Sequence, residues 1–295
     1  MMYGMFQKTS PRSGSCVLKN NDQSAQSVQP MIGIFDSGIG GLTVLKSLCS
    51  ALPQHDFLYL ADFGHAPYGN RTEDDIVQRS KTIVRWMETH GVSLVVAACH
   101  TSSSVLKAEH TTGIATPIVT MLQPTLDGIL KHPHRKQWKN GIAILATALS
   151  IQKGTLAFAL QSRGFDLPIY PVACPLLAGF IESCDDQGAI TYLQSHVFES
   201  FVRHPVDMMV YGCTHYPLIE PWLSDHDVPP ILRMDPAEHV ATAVAGILSA
   251  SGPVGPRNTP PRVCFYHTGT QQGPEQLAKH WPNLVTSTPT DLVLD

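Results

Sequence analysis

Met31-Ile32-Gly33-Ile34-Phe35-Asp36-Ser37-Gly38-Ile39-Gly40-Gly41-Leu42 is the stretch whose reading decides the fold. Met31–Phe35 is an apolar run too short for a buried helix, so it reads as a strand covered on both faces. Asp36 to Gly41 is a polar, glycine-rich turn. Leu42, Leu45 and Leu48 then recur at helical spacing. Strand, turn and helix together make the first half of a βαβ unit. Working outward, Phe57–Leu60 reads as a strand and Glu73–His90 as a helix with Ile76, Ile83 and Trp86 on one side. Leu94–Ala98 is a strand, followed by Cys99-His100-Thr101 and a helix to about His110, and Ile118–Met121 is a fourth strand.

The pattern then restarts. Ile142–Leu145 is a strand ending at Ala146-Thr147, Gly154–Arg163 a helix, Ile169–Val172 a strand, and Asp207–Tyr211 a strand that runs into Gly212-Cys213-Thr214-His215. Val263–Tyr266 is the last strand. Alternation of this kind predicts an α/β protein of two similar domains, each with a mostly parallel sheet and with the active site in the cleft between them. The expected division is a first domain of residues 31–123 plus 237–295 and a second of 124–236. Residues 1–30, rich in Ser, Gln and Asn, read as a disordered extension. Lys131–Asn140 reads as an exposed connection and Ser251–Pro261 as a loop.

Composition narrows the function. The chain has 295 residues, 43% hydrophobic and 15% charged, with a net charge of −4. That balance disfavours a polyanion partner, so nucleic-acid binding is not expected and a small-molecule substrate is. No apolar run reaches the roughly 18 residues of a membrane span, and the N-terminal stretch has no apolar core of a signal peptide. Seven unevenly spaced cysteines suit a reducing compartment, so the expected location is the cytoplasm.

In open parallel sheets ligands gather at the carboxyl ends of strands. Asp36-Ser37, Pro67-Tyr68-Gly69, Cys99-His100-Thr101 and Cys213-Thr214-His215 all map there. The glycine turn is a weak phosphate cradle. It lacks the Gly-x-Gly-x-x-Gly spacing and a P-loop lysine, and Asp36 stands at its entrance. A tight turn that aims Asp36 and Ser37 at an ammonium group fits it better. Cys49, Cys174, Cys184 and Cys264 read as small apolar packing residues, and Cys16 lies in the extension. Cys99 and Cys213 differ, because each follows a strand and precedes polar residues. A helix start there would lower the thiol pKa, and two thiols in matching places suggest paired work across a cleft. Two other readings stay open: a zinc site, although the usual ligand spacing is absent, and a Cys–His hydrolase dyad.

The motifs resemble those of the glutamate racemase family, within a wider group that includes aspartate racemases. The resemblance rests on Phe35 to Leu45, Ala66-Pro67-Tyr68-Gly69, Ala98-Cys99-His100-Thr101 and Gly212 to Leu218. Cys174-Pro175, Glu182 and Asp235-Pro236-Ala237 stand where the family has similar segments. It implies a racemase that needs no cofactor and no metal and that supplies D-glutamate for peptidoglycan, with a homodimer as one possible assembly. By resemblance Cys99 and Cys213 are the two acid/base groups, Asp36 assists Cys99, and His215 backed by Glu182 assists Cys213. Asp36, Ser37, Pro67, Tyr68, Gly69, His100, Thr101, Thr214 and His215 are the expected substrate contacts. Asp62 stands at the family's Gly-Asp position, after Ala61. Two departures stand out. His100 replaces the family's Asn, where it would crowd the substrate, act as an imidazolium beside Cys99, or shift substrate preference. Asp62-Phe63-Gly64-His65 lacks the arginine of the family's Asp-x-x-Arg pattern. The alternatives are a racemase-like binding protein and an isomerase of another acidic amino acid such as aspartate.

Overall fold

The computed structural model describes residues 31–224, 230–250, 255, 259–269 and 289–294. The expected extension and most of the 251–261 loop lie outside them. Ten strands are described: β1 (Met31–Asp36), β2 (Phe57–Ala61), β3 (Val92–Ala97), β4 (Ile118–Thr120), β5 (Ile142–Ala146), β6 (Ile169–Ala173), β7 (Met208–Gly212), β8 (Leu232–Met234), β9 (Val263–His267) and β10 (Thr290–Asp291). They form two sheets, a six-stranded one in the order β10-β9-β2-β1-β3-β4 and a four-stranded one in the order β6-β5-β7-β8. Every pairing is parallel. The chain is thus two α/β domains, as the alternation predicts.

Period-two alternation sorts the first core into two faces. Ile32, Ile34, Phe57 and Tyr59 pack with Leu42, Leu45 and Leu48 and with Val240 and Val244 of the helix Ala237–Ser249. Phe35, Leu58 and Leu60 pack on the other face with Ile83, Val84 and Met87 of the helix Glu73–Thr89. Strands covered on both faces carry no polar side, which is why β1 and β2 read as continuous apolar runs.

Three local expectations change. The helix after Cys99 covers only His100–Val105, and a 3₁₀ turn Ala108–Thr111 follows. The hydroxyls of Ser102, Ser103 and Ser104 donate to the carbonyls of Cys99, Ala97 and Thr101, so they compete with the helical ladder. The helix expected over Gly154–Arg163 runs Thr155–Ser162, and a second helix that was not expected, Ala148–Lys153, precedes it across the left-handed Gly154 (φ 61°). The 131–140 connection is not wholly exposed, because Trp138 is buried with Ile142 and Leu160.

Candidate active site

β1, β3 and β7 end at the seam between the two sheets, and their next residues are Ser37, Ala98-Cys99 and Cys213. Asp36 is fully buried. Its Oδ2 accepts from the Gly38 and Gly41 N–H groups at 3.2 and 3.0 Å, and its Oδ1 accepts from Thr214 Oγ1 of the other domain at 3.3 Å. Burial raises its pKa, while His215, the two amides and Thr214 pull the other way.

The glycine turn matters for space as well as conformation. None of Gly38, Gly40 and Gly41 has a positive φ. A Cβ on Gly40 would sit 2.5 Å from Thr214 Oγ1 and 2.6 Å from His215 Nδ1. The turn is bare so that Cys213-Thr214-His215 can pack onto it.

Each thiol has a different neighbourhood. Cys99 Sγ lies 3.9 Å from Ser37 Oγ. The expectation that a helix start lowers its pKa is corrected here: burial, with the nearby Asp36 carboxylate, pushes it up to about 12, and the Ser102 and Thr101 amides only partly offset that. The helix is six residues long, a weak dipole against a buried sulfur. A charge on Cys213 raises the Cys99 pKa further, so the two sulfurs lie within electrostatic reach across the seam. Cys213 Sγ lies 3.7 Å from His215 Nδ1, and His215 Nε2 lies 2.9 Å from Glu182 Oε1. Burial opposes the charged imidazole, but the bonds to Cys213 and Glu182 win and raise its pKa well above the usual histidine value.

The remaining expected residues divide. Thr101 Oγ1 meets Thr147 Oγ1 at 3.1 Å across the seam. Gly69, behind Pro67 in the loop, comes so close to Thr147 that a Cβ would lie 3.2 Å from the Thr147 Cβ. Tyr68 is buried and its hydroxyl donates to Asp62 Oδ2 at 2.7 Å. His100 lines a small cavity of about 50 Å³ with Ser103, Leu122, Ile144 and Gly212. Burial holds its pKa down to about 4, so it is neutral at pH 7 and the imidazolium role is removed.

Sequence reading missed Thr147, Arg79 and Thr268. Thr147 had a signal, because it follows β5 as Ser37 follows β1. Of the cysteines read as packing residues, Cys174 is buried, but Cys184 is exposed in a left-handed conformation (φ 57°). Among the described residues no group of three His, Cys, Asp or Glu side chains is placed to hold a metal, and no helix is long and apolar enough to cross a membrane.

No protein-family model matches the chain. Among curated proteins it is 33% identical to the glutamate racemase of Trichodesmium erythraeum (strain IMS101) over 218 residues, which is 74% of this chain and 78% of that protein. Among solved structures, a glutamate racemase isoform from Bacillus anthracis superposes with a TM-score of 0.78 at 23% identity, covering 91% of this chain and 98% of that one. The Francisella tularensis glutamate racemase, solved with D-glutamate, gives a TM-score of 0.76 at 23% identity over 91% and 98%. The structural matches show a shared fold; identity sustained over most of both chains shows kinship, and the chain belongs to the glutamate racemase family.

Proposed function

We propose that this isomerase interconverts L- and D-glutamate with Cys99 and Cys213 as its two acid/base groups. One sulfur, as thiolate, removes the α-proton from one face of the substrate. The other, as thiol, delivers its proton to the opposite face of the carbanion. The products are the inverted amino acid and the same thiol/thiolate pair with roles exchanged. The balance closes on protons alone, so the reaction needs no redox cofactor. A pair of groups on opposite faces removes the need for one base to swing across the α-carbon.

The observation that carries this reading is the pairing itself. Two thiols follow strands of different sheets, and each has polar groups beside it that would assist it: Asp36 with Ser37 for Cys99, and His215 with Glu182 for Cys213. The seam offers carboxylate and hydroxyl groups, so the substrate's α-ammonium would be an added cation beside them. It would sit by Asp36 and lower the cost of a thiolate at the otherwise resistant Cys99. Ser37, Thr101, Thr214 and the Gly69 backbone would hold the carboxylates, and neutral His100 would donate or accept a single bond. Pro67 shapes the loop. The working units are residues 31–123 plus 237–295 and residues 124–236, with the substrate between them. D-glutamate made this way would serve peptidoglycan synthesis in the cytoplasm.

Incubation with L-glutamate in deuterated water, without added cofactor, tests the reading. Optical rotation should decay to zero while α-deuterium accumulates in the inverted product. Binding without exchange would instead mark a racemase-like binding protein, and exchange of aspartate in preference to glutamate would move the substrate assignment.

A further inference from the structure

Asp62 is fully buried and its carboxylate accepts four hydrogen bonds. Its Oδ2 accepts from Tyr68 Oη at 2.7 Å and from Arg79 Nε at 2.9 Å, and its Oδ1 accepts from Arg79 Nη2 at 2.7 Å and from Thr268 Oγ1 at 2.6 Å. Burial opposes its ionisation, but Arg79, Thr268 and Tyr68 together hold its pKa below the usual carboxylate range. A buried carboxylate needs a cation. At position 65, where the resemblance expects arginine, His65 stands half-exposed 3.5 Å from Asp62. Arg79, three residues beyond Ile76 on the helix Glu73–Thr89, supplies the guanidinium as a fork instead.

The network leads to the candidate active site by two routes. The Asp62 N–H donates to the Asp36 carbonyl at 2.9 Å. The Tyr68 ring packs in one buried cluster with Cys99, Ile76, Val77 and Val105, and Ile76 and Val77 come from the same helix as Arg79.

We infer that Arg79, acting through Asp62, is a positioning residue that holds the Tyr68 ring as the wall of the Cys99 site and so keeps that thiol shielded and unreactive until substrate arrives. Tyr68 thereby serves as a wall, with its hydroxyl committed to Asp62. The inference rests on the two-thiol reading for its meaning in catalysis, but its test does not.

The test is the rate at which iodoacetamide alkylates each thiol in the ligand-free full chain, followed by mass spectrometry for Cys99 and Cys213 in the same sample. Tyr68→Phe deletes one oxygen, and Arg79→Lys keeps the charge but loses the fork; Arg79→Met is added if it folds. Alkylation of Cys99 should rise about tenfold in Tyr68→Phe, the change that one pH unit makes in a thiolate fraction, and less in Arg79→Lys, while Cys213 stays within about twofold. Unchanged Cys99 rates in both variants, or equal acceleration of both thiols, would overturn it. Racemisation is measured alongside. Selective unmasking of Cys99 in a chain that does not racemise glutamate would sustain the inference and sink the proposed function, so the two failures are distinguishable.

Discussion

The two sides of the seam solve the same problem differently. Cys213 has a side-chain relay, with His215 at 3.7 Å and Glu182 behind it at 2.9 Å. Among the described residues Cys99 has no such relay: it has a hydroxyl at 3.9 Å, a buried carboxylate near it, and an apolar wall. One thiol has an imidazole within reach of its sulfur, and the other is held as a thiol by desolvation. The lesson is that a reaction symmetric in its chemistry does not require symmetric supports. The equilibrium constant between enantiomers is unity, so kcat/KM must be equal in the two directions however unlike the two sides are. Asymmetry shows only in kcat and KM separately, in pH dependence and in half-reactions.

The largest effect expected is from removing either sulfur. Cys99→Ala and Cys213→Ala should each lower kcat/KM by at least the roughly 10²–10⁴-fold typical of a general acid or base, and equally in both directions. Steady-state rates from each pure enantiomer check this. Next is Gly40→Ala. A methyl 2.5 Å from Thr214 Oγ1 must push the Cys213 segment off the Asp36 turn, costing about 1–3 kcal/mol of stability and about 10² in kcat/KM. Thermal unfolding and kinetics together measure it, and a variant with unchanged rate would mean that the two segments need not touch.

Glu182→Gln sharpens the comparison through pH. Glu182 is one of the groups that raise the His215 pKa, so it favours the imidazolium beside Cys213. Removing its charge lowers that pKa, and the alkaline limb of the rate profile should move to lower pH, with a loss of about tenfold at its upper end. An unmoved limb would take His215 out of the reaction. The smallest effect is at His100. Its folded pKa, about 4, lies below the unfolded value near 6.5. The unfolded chain therefore takes up the proton first, and stability is lost as pH falls from about 6.5 to about 4. His100→Asn should flatten that part of the stability curve by up to roughly 3 kcal/mol, measured by denaturant unfolding across pH.

The strands that carry this site were legible because each is a largely buried, mostly apolar run that gives way to polar residues: β1 at Asp36-Ser37, β3 just after Ala97 at Ala98-Cys99, β7 at Cys213. That is a local signal. The direction of the Cys99 pKa was not legible, since it depends on how completely two domains bury one sulfur. Nor was the reason for Gly40, which is a neighbour more than 170 positions away in the chain. Arg79 on Asp62 was hidden for the same cause: its spacing from Ile76 and Ile83 places it on the buried face of the helix, but only the loop before Tyr68 brings a carboxylate to it. The short edge strand β8 was missed because Leu232-Arg233-Met234 is not an apolar run, unlike β4 of the same length.

The central claim is that Cys99 and Cys213 face opposite sides of one α-carbon. The most direct measurement is α-proton exchange in deuterated water by Cys99→Ala and Cys213→Ala, each given L-glutamate and D-glutamate separately. The account predicts that each variant exchanges one enantiomer without inverting it, and that the two variants prefer opposite enantiomers. The same enantiomer exchanged by both variants, or inversion surviving in either, would contradict it.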